Sequence, residues 1–224
     1  MKVRCGDAVA HLRYSTISDG DFHIESNAVA LRHRRHAFAP GAWTQLDEVH
    51  GTVVRVVAEP GEHDGAVGDA AITRCHGAVL SVWVGDCAPV LLAGVDAHGN
   101  GVIGAAHAGW RGALDGVLQG AVAAASAERL EAVLGPCIHG CCNEFGPDLL
   151  ADFEARFGPA VVATTTWGTP SLHLPAVVAA ALAEVGVPMI DIGACTRCHP
   201  DRWFSHRRGQ SQRHVCTITM MAEH

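Results

Sequence analysis

Apolar runs of strand length fill the middle of the chain. Ala78–Val84 and Val90–Val95 are two of them, separated by the polar, turn-forming stretch Gly85-Asp86-Cys87-Ala88-Pro89. A third, Gly101–Ala106, ends at His107, and Asp96-Ala97-His98-Gly99-Asn100 supplies the hairpin turn before it. Upstream, Thr52–Val57 is another apolar run, followed by a Gly- and acid-rich loop from Glu59 to Asp69. Beyond Gly112 the period changes. Leu114, Val117, Leu118, Ala121, Val122 and Ala125 fall on one face of a helix. Pro147–Phe157 reads as a second helix, with Asp148 and Asp152 early in it, where the helix dipole favours negative charge. Pro175–Val185 reads as a third. Val161–Thr166, Met189–Ile192 and Val215–Thr219 are strand-like runs between or after the helices. Strands joined by turns, then interleaved with helices, predict an α+β fold: a layered α/β sandwich with a mixed β-sheet flanked by helices, in one domain over 1–224.

Composition narrows the function. With 49% apolar and 17% charged residues, the 224-residue chain can bury a large core. A net charge of −7 carries no electrostatic footprint for nucleic acid. No apolar stretch approaches the roughly 20 residues of a membrane span, and the start MKVRCGDAVAHLR lacks the apolar core of a signal peptide. The expected compartment is the cytoplasm, where the nine cysteines stay reduced. Lys2 is the only lysine, which excludes a Walker-type phosphate loop, a Schiff-base cofactor site and a Ser-x-x-Lys nucleophile. Anions must be held by arginine, backbone amides or a metal.

Three segments are too polar for their surroundings: Val49-His50-Gly51, Gly85 to Pro89, and His107-Ala108-Gly109-Trp110-Arg111-Gly112. In the last, two glycines bracket a Trp-Arg pair at a strand-to-helix junction, where amides and a helix N-terminus can face a ligand. Arg111 adds a cation suited to phosphate or carboxylate. His50, Cys87 and His107, delivered from strand ends, have the donor set of a catalytic zinc site with an open fourth position. Each alone has a plainer reading, as a packed thiol or a hydrogen-bonded imidazole. Cys195-x-x-Cys198 with Cys137 and the Cys141-Cys142 pair forms a rival four-thiolate set, but its spacing is not that of a zinc ribbon and free thiols are the preferred reading.

At these residues the chain resembles the bacterial laccase-domain family, also described as multicopper polyphenol oxidoreductases and now regarded as purine nucleoside phosphorylases and adenosine deaminases. The resemblance rests on His50-Gly51, Asp86-Cys87-Ala88-Pro89, His107 to Gly112, Gly135-Pro136-Cys137-Ile138, Cys195-Thr196 and Ser205-His206-Arg207-Arg208, and runs from about Tyr14 to Thr219. It implies one zinc held by His50, Cys87 and His107, and a fold related to bacterial toxin deamidase domains. One His-Cys-His site cannot supply the several copper centres that oxygen reduction needs, whereas thiolate and imidazole suit zinc. The chain departs from the family pattern where Glu48 replaces Gln, Ile17 replaces an arginine after Ser15-Thr16, and Val84-Gly85 replaces Thr-Ala.

The resulting expectation is a zinc enzyme acting on a small-molecule purine nucleoside, by deamination or with inorganic phosphate as co-substrate. Arg111 would hold the anion, and Glu48 or Asp86 would carry the proton or support a ligand histidine. It would bind neither nucleic acid nor membrane and would be a monomer or weak oligomer. Two other readings remain: a cell-wall precursor amidase with Cys87 as nucleophile and His107 as base, and a zinc-binding domain without activity.

Overall fold

The structure, a computed structural model, describes residues 1–222. In chain order it comprises β1 (Lys2–Cys5), β2 (Ala8–Tyr14), α1 (Ala28–Phe38), β3 (Ala42–Gln45), β4 (Val54–Val57), β5 (Ala70–Thr73), β6 (Ala78–Val84), β7 (Ala88–Val95) and β8 (Gly101–Ala108). There follow α2 (Trp110–Asp115), α3 (Val117–Ala125), β9 (Arg129–Leu134), α4 (Pro147–Phe157), β10 (Val162–Thr164), β11 (Pro170–Leu172), α5 (Leu174–Ala183), β12 (Met189–Asp191) and β13 (His214–Ala222).

The expected α+β sandwich is present, with its strands divided between two large mixed sheets. One has the order β1-β2-β13-β6-β3 and is antiparallel except for β6–β3. The other has the order β12-β9-β7-β8-β5-β4 and is parallel only at its two edges. Period-two alternation explains the layering. On β7, Leu91 and Ala93 join Leu80, Val82, Ile218 and Met220 between the sheets, while Val90 and Leu92 pack with Leu118, Ala121, Val177 and Ala181 of α3 and α5. Both faces of β7 and β8 are therefore buried, and they read as continuous apolar runs. A smaller cluster of Leu31, Phe22, Trp43, Val79 and Val215 seats α1 on the outer face of the five-stranded sheet.

Local chemistry decides the element boundaries. The helix expected from Leu114 to Ala125 is two helices, because Gly116 adopts φ 99°, a left-handed conformation that ends α2 and starts α3. The Asp96 carboxylate accepts the His98 and Asn100 amides and so fixes the β7–β8 turn. The apolar stretch after Val161 forms only the three-residue β10, led into by a 3-10 turn at Pro159–Val161. No helix among the described residues is long and apolar enough to cross a membrane.

Two packing features generate tests. Gly94, within β7, faces the paired β9 so closely that a Cβ would run into the Arg129 carbonyl oxygen, whereas a Cβ at Gly120 of α3 would make only ordinary contacts, with Val54 at 3.5 Å and the Thr52 carbonyl oxygen at 4.0 Å. Gly94→Ala is expected to cost about 1–3 kcal/mol, and Gly120→Ala to add up to about 1 kcal/mol, in urea denaturation. His214 is fully buried at the start of β13, and burial drives its pKa down to about 3, against a raising contact from the Pro136 backbone. The unfolded chain binds this proton near pH 6.5, so the stability is fully present above that value and is lost as pH falls toward 3. By pH 5 the loss is about 2 kcal/mol, and His214→Leu is expected to remove that part of the difference between denaturation curves at pH 7 and pH 5.

Candidate metal centre

His50, Cys87 and His107 meet at one end of the six-stranded sheet, their ligand atoms all within 4.8 Å of one another. The elements that bring them together explain the polar segments. Cys87 is the residue before β7, and His107 pairs with Pro89 near the end of β8. His50 sits on the turn before β4 at φ 60°, a left-handed conformation disfavoured for a side-chain-bearing residue.

One carboxylate holds that turn. Asp69, buried immediately before β5, accepts the His50 amide through Oδ1 and the Gly51 amide through Oδ2, both at 2.8 Å. The same Oδ1 lies 2.9 Å from His107 Nδ1, and the Asp69 carbonyl accepts the His107 amide at 2.7 Å. Burial would raise the Asp69 pKa, but the hydrogen bonds from His107, Gly51 and His50 outweigh it and hold the carboxyl below its ordinary value. With Nδ1 occupied in this way, the His107 Nε2 is left for the centre. This is the carboxylate–histidine support typical of metal ligands.

The donor set fits a metal. Cys87 Sγ and His50 Nε2 are 3.6 Å apart, against about 3.6 Å expected for a thiolate and an imidazole on one tetrahedral zinc. Burial opposes ionisation of Cys87, but the His107 charge and the hydrogen bonds from both imidazoles bring its pKa down to about 6, so the thiolate ligand is ready at neutral pH. His107 is raised well above its usual value, burial being outweighed by Glu48 and Cys87.

The glycines of the His107–Gly112 segment serve close approach. A Cβ on Gly109 would stand 2.5 Å from His50 Cδ2, and one on Gly112 would stand 2.7 Å from the Gly51 carbonyl oxygen. They seat the His50 turn against α2, a six-residue helix, rather than opening its amides to a ligand.

Around the triad lies a cavity of about 370 Å³, within the range of small-molecule sites. Trp83, Trp110 and Phe145 give it flat apolar surfaces, with Trp110 and Phe145 edge to face at 5.7 Å. Arg207, Arg213 and His206 line it as cations or potential cations. Glu48 is in the wall, its Oε1 accepting the Trp83 amide at 3.0 Å and its Oε2 3.7 Å from His107 Nδ1. Burial, opposed chiefly by His107, pushes Glu48 up to about 8.

Two residues expected at the site have other surroundings. Arg111 is exposed, outside the cavity wall, with its guanidinium over the Trp110 ring at 4.6 Å. Consecutive helical residues diverge by 100°, so the first turn of α2 presents Trp110 to the cavity and Arg111 away from it. Asp86 lines the cavity, but its carboxylate is taken by three donors: Thr196 Oγ1 at 2.5 Å, Ser205 Oγ at 3.0 Å and the Arg207 amide at 2.7 Å. It ties the segment before β13 to the Cys87 turn, and its backbone is held at φ 114°.

Asp69, Arg207 and Arg213 are the site residues that the sequence reading missed. Asp69 had a local signal: a lone carboxylate at the mouth of a fully buried strand. Arg213 lies along Gly85, where a Cβ would come within 2.9 Å of its Cδ, so the absence of a side chain at Gly85 leaves room for this arginine at the cavity.

A family model described as multi-copper polyphenol oxidoreductase laccase matches residues 12–221. A purine nucleoside phosphorylase of Xylella fastidiosa is 39% identical over 184 residues, covering 77% of this chain and 70% of that protein. One from Corynebacterium glutamicum is 32% identical over 213 residues, covering 89% and 85%. An adenosine deaminase from an unknown prokaryotic organism is 33% identical over 151 residues, covering 62% of this chain and 56% of its own. Among solved structures, a Neisseria meningitidis protein superposes with a TM-score of 0.81 at 25% identity, covering 99% of this chain and 98% of that one. The match over almost the whole length, together with relatives above 30% identity, places this chain in the multi-copper polyphenol oxidoreductase laccase family, whose curated members similar to it are named as purine nucleoside phosphorylases and an adenosine deaminase.

Proposed function

We propose that this chain is a zinc-dependent purine nucleoside enzyme. It deaminates adenosine, and it cleaves adenosine, inosine or methylthioadenosine with inorganic phosphate. The observation that carries the reading is the His50–Cys87–His107 centre, braced by Asp69 and opening into a cavity with aromatic and cationic walls. Relatives named for these two activities supply the substrate class.

His50, Cys87 and His107 would hold the zinc ion, which would supply Lewis-acid chemistry near neutral pH. The donor set of one thiol and two imidazoles would make a single mononuclear centre, which suits zinc better than a multi-copper cluster. Trp110, Phe145 and Trp83 offer faces on which a purine ring can stack. Arg207 and Arg213 take the anion-holding role expected of Arg111, because they line the cavity and Arg111 does not. Glu48 lines the wall with its Oε2 3.7 Å from His107 Nδ1, and it takes the proton-carrying role that zinc deaminases give to a glutamate. In deamination that proton passes from the attacking water to the departing amino group, giving inosine and ammonia. Asp86, saturated by its three donors, keeps Cys87 in place.

A cysteine amidase is the second reading, favoured by the depressed Cys87 pKa beside His107. The third inward ligand, His50, separates the two, since an amidase pair has no use for an imidazole nitrogen 3.6 Å from the nucleophilic sulfur.

Cys87→Ala is expected to lose the zinc of this centre and at least about 100-fold in adenosine turnover. Purified protein that carries no metal would support the amidase reading instead, and wild-type adenosine turnover by metal-stripped protein would overturn the zinc dependence. Glu48→Gln is expected to lower inosine formation from adenosine and to raise phosphate-dependent release of free base. Chromatography of products with and without phosphate measures both. An unchanged product ratio would make Glu48 a structural neighbour only.

A further inference from the structure

Outside this cavity, four further thiols converge. Cys141 and Cys142 lie in the turn after β9, Cys195 and Cys198 in the irregular segment after β12, and their four sulfurs all fall within 4.8 Å of one another. Cys198 Sγ is 3.4 Å from Cys142 Sγ and 3.6 Å from Cys141 Sγ. A tetrahedral zinc with Zn–S bonds of about 2.3 Å places its sulfurs about 3.8 Å apart. The thiols thus already stand at nearly the separation a shared ion would impose, and no pair is bonded.

The backbone is arranged in the same sense. The Cys195 carbonyl accepts the Cys198 amide, which curls Cys195-Thr196-Arg197-Cys198 into a turn, and the His139 amide points at Cys195 Sγ at 3.5 Å. Arg208 donates to the Thr196 and Arg197 carbonyls, so a fixed positive charge braces this turn, beside what would be a four-thiolate anion. Cys137, the other cysteine of the region, is not in the cluster; its strand-like bridge to Cys195 and its carbonyl contact with the Thr196 amide align the two segments instead.

We propose that Cys141, Cys142, Cys195 and Cys198 bind a second, structural zinc with four sulfur ligands. The site is closed: all four positions are taken by protein, so it holds structure and leaves no place for substrate. What it holds is the wall of the cavity. Between β12 and β13 the chain runs through some 20 residues with only a 3-10 turn of its own, a length that normally needs an external staple. That stretch delivers Thr196, Ser205 and Arg207 to Asp86, the residue before Cys87. The loop carrying Cys141 and Cys142 also supplies Ile138, Asn143 and Phe145 to the cavity. The inference is independent of the chemistry proposed at His50, Cys87 and His107.

The test is metal content by plasma mass spectrometry and zinc X-ray absorption on the full chain, purified under reducing conditions. Wild-type protein is expected to carry about two zinc ions. Cys87→Ala is expected to keep one, in an all-sulfur shell. The double variant Cys195→Ser with Cys198→Ser is expected to keep the other, in a shell of two nitrogens and one sulfur, with reduced adenosine turnover. Because Cys198 is exposed, Cys198→Ser alone serves if the double variant does not fold, and the sulfur shell of Cys87→Ala decides the matter without either. Zinc-free Cys87→Ala with four alkylatable thiols would overturn the proposal. So would an intact-mass loss of two hydrogens mapped to a disulfide between Cys198 and Cys141 or Cys142.

Discussion

The carboxylate of Asp69 is the interaction on which the rest of the centre depends. It is a single group, buried before a fully buried strand, and it fixes two candidate ligands from different parts of the chain. Two of its bonds go to backbone amides of the His50 turn and one to the His107 ring. A buried carboxylate without donors would be costly. Here the donors are the very groups that must be oriented, so the stability of the site and its geometry have one origin. Without it, His50 would have no reason to keep a left-handed backbone and His107 no fixed ring orientation.

Close approach supplies the second constraint. Gly109 and Gly112 let the His50 turn lie directly on the start of α2, and Gly85 lets Arg213 reach the cavity past Cys87. On the other side, Asp86 binds the Thr196–Arg207 segment at three points, and Cys195 and Cys198 of the same stretch cluster with Cys141 and Cys142 of the turn after β9. The fully buried part of the centre is the pair of strands β7 and β8, each with a candidate ligand at or next to its end. Loops are held to those strand ends by carboxylates and brought close by glycines. Such a division suits an enzyme whose chemistry stays at the ligands while its substrate preference is set by loop residues.

Much of this was legible in the sequence, because strand ends are marked by a change from apolar to polar. His50, Cys87 and His107 each stand at such a change, and the structure gathers them. The α4 boundaries were also legible, Pro147 opening the helix and Gly158 closing it. The division of the strands into two sheets was not, since burial on both faces erases the alternation that would reveal which strands pair. Nor was the break at Gly116, where one left-handed residue outweighs a sustained helical period. Arg111 misled because sequence proximity to His107 is not proximity in space: one helical step turns it out of the cavity. Asp69 was missed for the opposite reason. Its partners lie 18 to 38 residues away, and the local signal, a lone carboxylate before a buried strand, does not say which groups it binds.

The proposed preorganisation of a zinc centre by Asp69 is tested most directly by the zinc affinity of that site in Asp69→Asn, measured by competition with a chelator. Asparagine keeps the shape but can no longer accept from both amides and the ring at once. The account predicts binding about 10–100-fold weaker at the His50–Cys87–His107 site, with the fold intact by circular dichroism. Wild-type affinity in a folded Asp69→Asn protein would contradict it.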